Sequence, residues 1–248
     1  MSAESKPPLE LTFLGSGNAF AGDRYWSSFV VNRRYLFDAP PTVLPHLNKL
    51  GIPTTSIATI FISHFHADHF FGLPFLYLDY EYLTFRKDEL VVVGPRGTKE
   101  MVEQLAELGY GGLTPDGGLY QRTYMEVDPG DEGVACNAPF KAVEVEQSMR
   151  LACLGFKVDI GGRVVSYTGD TVMCDGVREL ADGADVLVID CSCWDEPCDH
   201  HMGLADIQRF RRDVPPETTF VITHLDAGRR DVGMEGILVA EDFGVIRL

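Results

Sequence analysis

The sequence is short of positive charge, of long apolar runs and of early cysteines. Against 37 Asp and Glu stand only 21 Lys and Arg, a formal net charge of −16. A field of that sign repels nucleic acid, so a phosphate-bearing substrate needs a locally positive site, which a bound divalent cation can supply. No apolar run reaches the ~18 residues of a membrane span. The opening MSAESKPPLE has no apolar segment behind a basic start, so no secretory signal is read and the expected location is cytoplasmic. No cysteine precedes Cys136. The six, at 136, 153, 174, 191, 193 and 198, do not make a disulfide scaffold in 248 residues and are expected to be mostly reduced thiols. Low-complexity tracts and clear linkers are also missing, so one domain over residues 1–248 is expected.

What is present is periodic. Residues 9–14 alternate and end at the GSGN turn, and 28–38 read as two short strands joined through Asn32 and Arg33. Val43, Leu44, Leu47 and Leu50 space a helix up to Gly51. Residues 57–62 are a buried-type strand, and the aromatic stretch 70–85 reads as helical after Pro74, either a core helix, a wall beside the site or a dimer surface. A strand at 90–93 and a helix at 97–109 follow, then strands near 122–127, 140–146, 151–160 and 163–168. Helices at 175–182 and 204–213 alternate with strands at 185–190 and 218–223, and residues 236–247 hold two more strands. Strands first, then alternating β and α, then the same again, predict an α/β fold of two sheets packed face to face with helices outside, a four-layer αβ/βα sandwich. Such folds carry functional residues on loops at strand ends.

Six of the seven histidines fall in three tight places: 64, 66 and 69; 200 and 201; and 224. The strongest motif is Ser63-His64-Phe65-His66-Ala67-Asp68-His69, directly after a hydrophobic strand. In an extended segment His64 and His66 point the same way, and Asp68 and His69 can serve a second position once the chain turns. Imidazole with carboxylate suits zinc, and also manganese or iron. Asp170, after the glycine of Tyr167-Thr168-Gly169-Asp170, has two oxygens and can bridge two cations. His224 leaves a further hydrophobic strand in Ile222-Thr223-His224-Leu225 and reads as a ligand or as a satisfied buried histidine.

These segments resemble the metallo-beta-lactamase superfamily, and within it the branch that holds ribonuclease Z and the phosphoribosyl cyclic-phosphate phosphodiesterases. The resemblance rests on FLGSGNAF, FDAP at 37–40, ISHFHADHFFGLP at 62–74, SYTGD at 166–170, DVLVIDCS at 185–192, HHMGLADI at 200–207 and VITHLD at 221–226. It implies the four-layer fold and a two-metal site for Zn²⁺, with Mn²⁺ or Fe²⁺ as alternatives. His64 and His66 are then expected on the first metal, Asp68, His69 and His224 on the second, and Asp170 between them. Where the family has a further histidine for the first metal, this chain has Gln147, before Ser148. A carboxamide is a poorer zinc ligand than imidazole, so the first position is expected to be weak, filled by a harder ion, or vacant. Glu146 faces the other way in an extended segment, and His46 is an unlikely substitute.

His201 in HHMGLADI matches a family histidine that acts on the phosphate or leaving group; its structural alternative is a helix-start residue beside a capping Asp199. Asp190-Cys191-Ser192 resembles the cyclic-phosphate enzymes more than ribonuclease Z, whose long RNA-clamping insertion is not evident. Cys191, Cys193 and Cys198 with His200 form an irregular candidate for a separate zinc site. The expected activity is therefore metal-dependent hydrolysis of a small phosphodiester or cyclic phosphate, a hydroxide generated at the metals attacking phosphorus in line. Asp68 is expected to orient the nucleophile and His201 to protonate the leaving oxygen or stabilise the transition state. Arg24, Arg229 and Arg230 are candidates for outer phosphate contacts. The alternatives are hydrolysis of another ester or a lactone, and a non-catalytic metal- or ligand-binding module. A small-molecule substrate, no large nucleic acid, no membrane and a homodimer through residues 70–85 complete the expected partners.

Overall fold

The computed structural model of the chain describes residues 6–20, 22–113, 118–147, 152–194, 199–226 and 232–248. In chain order the first half holds β1 (Glu10–Gly15), β2 (Ser28–Val31), β3 (Tyr35–Phe37), α1 (Val43–Lys49), β4 (Thr59–Phe61), α2 (Ala67–Phe70), α3 (Leu73–Tyr82), β5 (Leu90–Pro95), α4 (Thr98–Tyr110) and β6 (Arg122–Val127). The second holds β7 (Glu132–Ala135), β8 (Ala138–Glu144), β9 (Leu154–Asp159), β10 (Val164–Tyr167), α5 (Asp175–Ala181), β11 (Val186–Asp190), α6 (Leu204–Phe210), β12 (Thr219–Thr223), β13 (Ile237–Val239) and β14 (Val245–Arg247).

The strands make two seven-stranded sheets, ordered β14-β1-β2-β3-β4-β5-β6 and β13-β12-β11-β10-β9-β8-β7. Alternation along each strand sends one set of side chains between the sheets and the other outward. Phe13, Phe29, Phe37 and Phe61 point inward and meet Phe140, Phe156, Val158, Tyr167 and Val188 of the second sheet. Phe29 stacks on Phe37 at 4.6 Å, with Tyr167 edge-on at 5.3 Å. Each buried Phe contributes roughly 1.5–3 kcal/mol relative to exposure. The outward residues Val30, Leu36, Ile60 and Val92 pack under Leu47 of α1, Leu73 and Tyr77 of α3 and Val102 of α4. Leu187, Ile189, Phe220 and Ile222 pack in the same way under Leu180 of α5 and Ile207 of α6. The result is the four-layer sandwich that the element order predicts. No helix among the described residues is long and apolar enough to cross a membrane.

Two local readings change. The 70–85 segment is one helix only from Leu73 to Tyr82; α2 precedes it, and Gly72 separates the two. A Cβ on Gly72 would stand 2.0 Å from the Pro40 carbonyl oxygen, so only glycine lets this turn sit against the 39–40 backbone. Leu76, Tyr77 and Tyr80 are core, whereas Phe71, Tyr82, Leu83 and Phe85 are exposed. Strand β7 has no counterpart in the sequence reading. It pairs with β8 across Cys136 and Asn137, both left-handed at φ 49° and 72°. The Asn32–Arg33 turn has the same backbone, with φ 48° and 54°, as the hairpin reading requires.

Candidate metal centre and active site

Parallel pairing brings the functional residues together. β3 runs parallel to β4, and β10, β11 and β12 run parallel to one another, so their C-terminal ends meet at one edge. Asp38 follows β3, the His64–His69 segment follows β4, Asp170 follows β10, Asp190 ends β11 and His224 follows β12. The two sheets are tied there by Leu154 N donating to the Ser63 carbonyl at 3.0 Å. Gly169 has φ +59°, and a Cβ on it would lie 2.8 Å from Ser63 Cβ, which explains the glycine before Asp170. The GSGN turn is pinned to the same edge, with Asn18 N donating to Leu225 O at 2.9 Å and Leu225 N to Ser16 O at 2.8 Å.

His64, His69, Asp170 and His224 are buried and converge with Asp68. His69 Nε2 lies 3.3 Å from Asp170 Oδ2 and 3.4 Å from Asp68 Oδ2. His224 Nε2 lies 3.3 Å from Asp170 Oδ1 and 3.7 Å from Asp68 Oδ2. His64 Nε2 is 3.7 Å from Asp170 Oδ2 and 2.9 Å from His66 Nδ1, and Gln147 Nε2 is 3.4 Å from that same His66 atom. All seven residues of the expected ligand set thus gather in one place. Three of their buried atoms, His69 Nε2, His224 Nε2 and Asp170 Oδ1, make no hydrogen bond. Buried polar atoms are seldom left so, and a nitrogen pair with carboxylate oxygens fits a divalent cation of the zinc, manganese or iron type.

Each inward-facing imidazole is held from behind. Asp38 Oδ2 accepts from His69 Nδ1, Ser63 Oγ and Tyr167 OH, each at 2.8 Å, and Asp38 Oδ1 accepts from Ser63 N at 2.8 Å. Ser63 Oγ in turn lies 3.0 Å from His64 Nδ1. Across the site Asp190 Oδ2 accepts from His201 Nδ1 at 2.8 Å and Thr171 N at 3.1 Å. Asp190 Oδ1 accepts from Ser192 N and Oγ, and Ser192 Oγ accepts from His224 Nδ1 at 2.6 Å. These contacts fix each ring on its Nδ1 side and present Nε2 to the centre. None of Asp38, Ser63, Tyr167, Asp190 or Ser192 was singled out as a site residue from sequence. The available signal was that Asp38 and Asp190 close strands.

The field follows from this packing. Burial works against charge on His224, but Asp170, Asp190 and Asp68 overcome it and raise the imidazole to about 10. Burial opposes charge on His69 too, and Asp170 with Asp38 hold it well above the ordinary histidine range. Burial would raise Asp68 and Asp170, yet the neighbouring imidazoles keep both carboxyls well below the usual range. His64 is depressed by burial and by His69. His201 is lifted, since Asp190 outweighs its partial burial.

His201 sits at the rim, its ring stacked on His224 at 5.2 Å and its side chain 23% exposed. It lines a cavity of about 560 Å³ with His66, Asp68, Gln147, Asp170, His224 and the outward Phe20. The helix-start alternative does not hold, because α6 begins at Leu204 behind Gly203 with no side-chain cap. His46 packs edge-on between Tyr25 and Phe243, and Glu146 is exposed while Val145 beside it is buried. Arg24 is buried and donates to Ser16 Oγ at 2.6 Å and Ala240 O at 3.0 Å, so it is not an outer phosphate contact. Arg229, Arg230, Ser148 and Cys198 lie outside the described residues. Cys136, Cys153, Cys174 and Cys191 are in no disulfide, but Cys193 is disulfide-bonded, which corrects the reading of it as reduced. No cysteine joins a metal-type donor cluster among the described residues.

Comparison with known proteins agrees with this fold. A family model described as Beta-lactamase superfamily domain matches residues 33–225. The ribonuclease Z of Methanosarcina acetivorans is 27% identical over 300 aligned positions, spanning 94% of this chain and 96% of the relative. The short form of human tRNase Z superposes with a TM-score of 0.76 at 25% identity, over 96% of this chain and 98% of that one. The metallo-beta-lactamase fold protein YhfI of Bacillus subtilis gives a TM-score of 0.78 at 18% identity, over 97% and 100% of the two chains.

Proposed function

This chain belongs to the metallo-beta-lactamase superfamily, on its ribonuclease Z-like branch, and is a hydrolase; we propose that its substrate is a small phosphodiester or cyclic phosphate. The observation that carries the reading is two features side by side at one cavity. One is the set of buried atoms that make no hydrogen bond, His69 Nε2, His224 Nε2 and Asp170 Oδ1. The other is His201, stacked on His224 and oriented by Asp190. Asp68, His69, Asp170 and His224, with His64 and His66 beside them, would hold a divalent cation, which would supply Lewis acidity for activating water and neutralising phosphoryl oxygens. Asp190 fixes His201 with its proton on Nδ1, leaving Nε2 to hold the proton that the leaving oxygen receives. Asp68 Oδ2, within 3.7 Å of two imidazoles and lining the cavity, is placed to orient the attacking water. Phe20, 94% exposed at the mouth, offers a flat apolar face to the organic part of the diester.

Two facts favour a small substrate. The alignment with the Methanosarcina acetivorans relative spans 300 positions and this chain has 248 residues, so at least 52 positions of that protein have no counterpart here. The net charge of −16 also works against a polyanion. A second reading, an RNA phosphodiester, is favoured by the ribonuclease Z relative covering nearly the whole chain. Turnover of metal-loaded protein on bis-p-nitrophenyl phosphate, a cyclic mononucleotide, a short RNA and a lactone separates them. The proposal expects the first two to be cleaved; exclusive cleavage of RNA or of the lactone overturns it.

A further inference from the structure

The two halves of the centre are not equivalent. Both Asp170 oxygens lie 3.3 Å from nitrogens of one set, His69 and His224, against 3.7 Å to His64 Nε2. The two imidazole nitrogens of the centre that make no hydrogen bond, His69 Nε2 and His224 Nε2, belong to that same set. On the other side His64 Nε2 and His66 Nδ1 stand 2.9 Å apart, where one N–H shared between them satisfies both without a cation. His64 joins a tight cluster of His, Cys, Asp and Glu donors only together with His69 and Asp170, and His66 joins none among the described residues. Gln147 has a second partner besides His66. Its Nε2 faces His66, while its Oε1 accepts from Cys153 Sγ at 3.7 Å. An amide nitrogen offers donors and no free lone pair, so it cannot ligate.

We propose that this protein holds one divalent cation, at Asp68, His69, Asp170 and His224, and that Gln147 is a substrate-positioning residue which donates from Nε2 to a phosphoryl oxygen in place of a first metal. Gln147 lines the same cavity as His201 and His66, so its amide can reach a group bound there. The two donors it carries suit a non-bridging phosphoryl oxygen, which has lone pairs and no hydrogen. The inference rests on the proposed function for the identity of the bound group, but its metal arm needs no substrate.

The test is metal content by atomic emission after chelator stripping, reloading with zinc and exhaustive dialysis. Wild type and Gln147→Ala are expected to retain one equivalent each, and Gln147→His two, because imidazole restores a ligand that zinc accepts. In the same preparations inorganic phosphate is titrated, and Gln147→Ala is expected to bind it several-fold more weakly than wild type. Two equivalents in wild type, falling to one in Gln147→Ala, would make Gln147 a ligand and overturn the proposal. Unchanged phosphate affinity in Gln147→Ala would remove the positioning role. Failure of the hydrolytic reading would instead show as correct metal content without diester turnover.

Discussion

Asp38 Oδ2 accepts the Nδ1 proton of His69 at 2.8 Å, and the two residues sit on different strand ends brought together by the parallel β3–β4 pair. Asp38 does this in the left-handed region, at φ 56°, a conformation that asparagine tolerates nearly as well. Asp38→Asn should therefore fold. It loses the charged acceptor behind His69, so zinc affinity should fall roughly 10–100-fold, the usual range for such partners. Competition with a chromophoric chelator measures it, and unchanged affinity would mean that packing alone orients the ring.

Asp170→Asn should remove zinc from the centre and abolish hydrolysis. Both carboxylate oxygens face imidazole nitrogens, and an amide substitutes one of them with a donor. Metal analysis of the purified variant is the check. Full occupancy would show that Asp170 is not shared by the donors around it.

His201→Ala should keep its zinc, since His201 stands at the rim and Asp190 still holds Ser192 behind His224. Turnover should fall by roughly 10²–10⁴. The loss should be greater for alkyl leaving groups than for p-nitrophenol, which needs little protonation. Equal losses on both would assign His201 to charge stabilisation, and lost zinc would make it a ligand.

Metal binding should release protons. In the metal-free protein His224, raised to about 10, is charged at pH 7.5, and a ligand must be neutral at Nε2. Zinc affinity should climb as pH rises toward 10. The metal-free fold behaves in the opposite sense. A raised histidine stabilises it fully below the unfolded value of about 6.5, and that contribution is lost as pH rises through about 10. Calorimetry of zinc binding in buffers of different ionisation enthalpy gives the proton count; a heat independent of buffer would contradict it.

Much of the centre was legible because its residues are neighbours in the chain. Four potential ligands within His64–His69 follow one strand, and Asp170 and His224 each leave another, so strand-end reasoning placed them. Asp38, Asp190 and Ser192 were not assigned roles, because what they hold depends on which strand ends meet, and no local pattern encodes β10, β11 and β12 lying parallel. Arg24 misled for the reverse reason: an arginine in a loop reads as free, and here its donors are spent on Ser16 and Ala240. β7 escaped because Glu132–Ala135 is a short edge strand with Gly133 in it, and its turn uses Cys136 beside Asn137 rather than a glycine.

On the proposed function, cleavage of a diester at this site needs a divalent cation held by these side chains. Its most direct measurement is turnover of bis-p-nitrophenyl phosphate by chelator-stripped protein as zinc or manganese is added back in counted amounts. Negligible turnover is expected without metal and a rise that tracks bound metal, with Asp170→Asn flat throughout. Turnover that survives stripping, or a fully loaded protein inert on diesters, would contradict it.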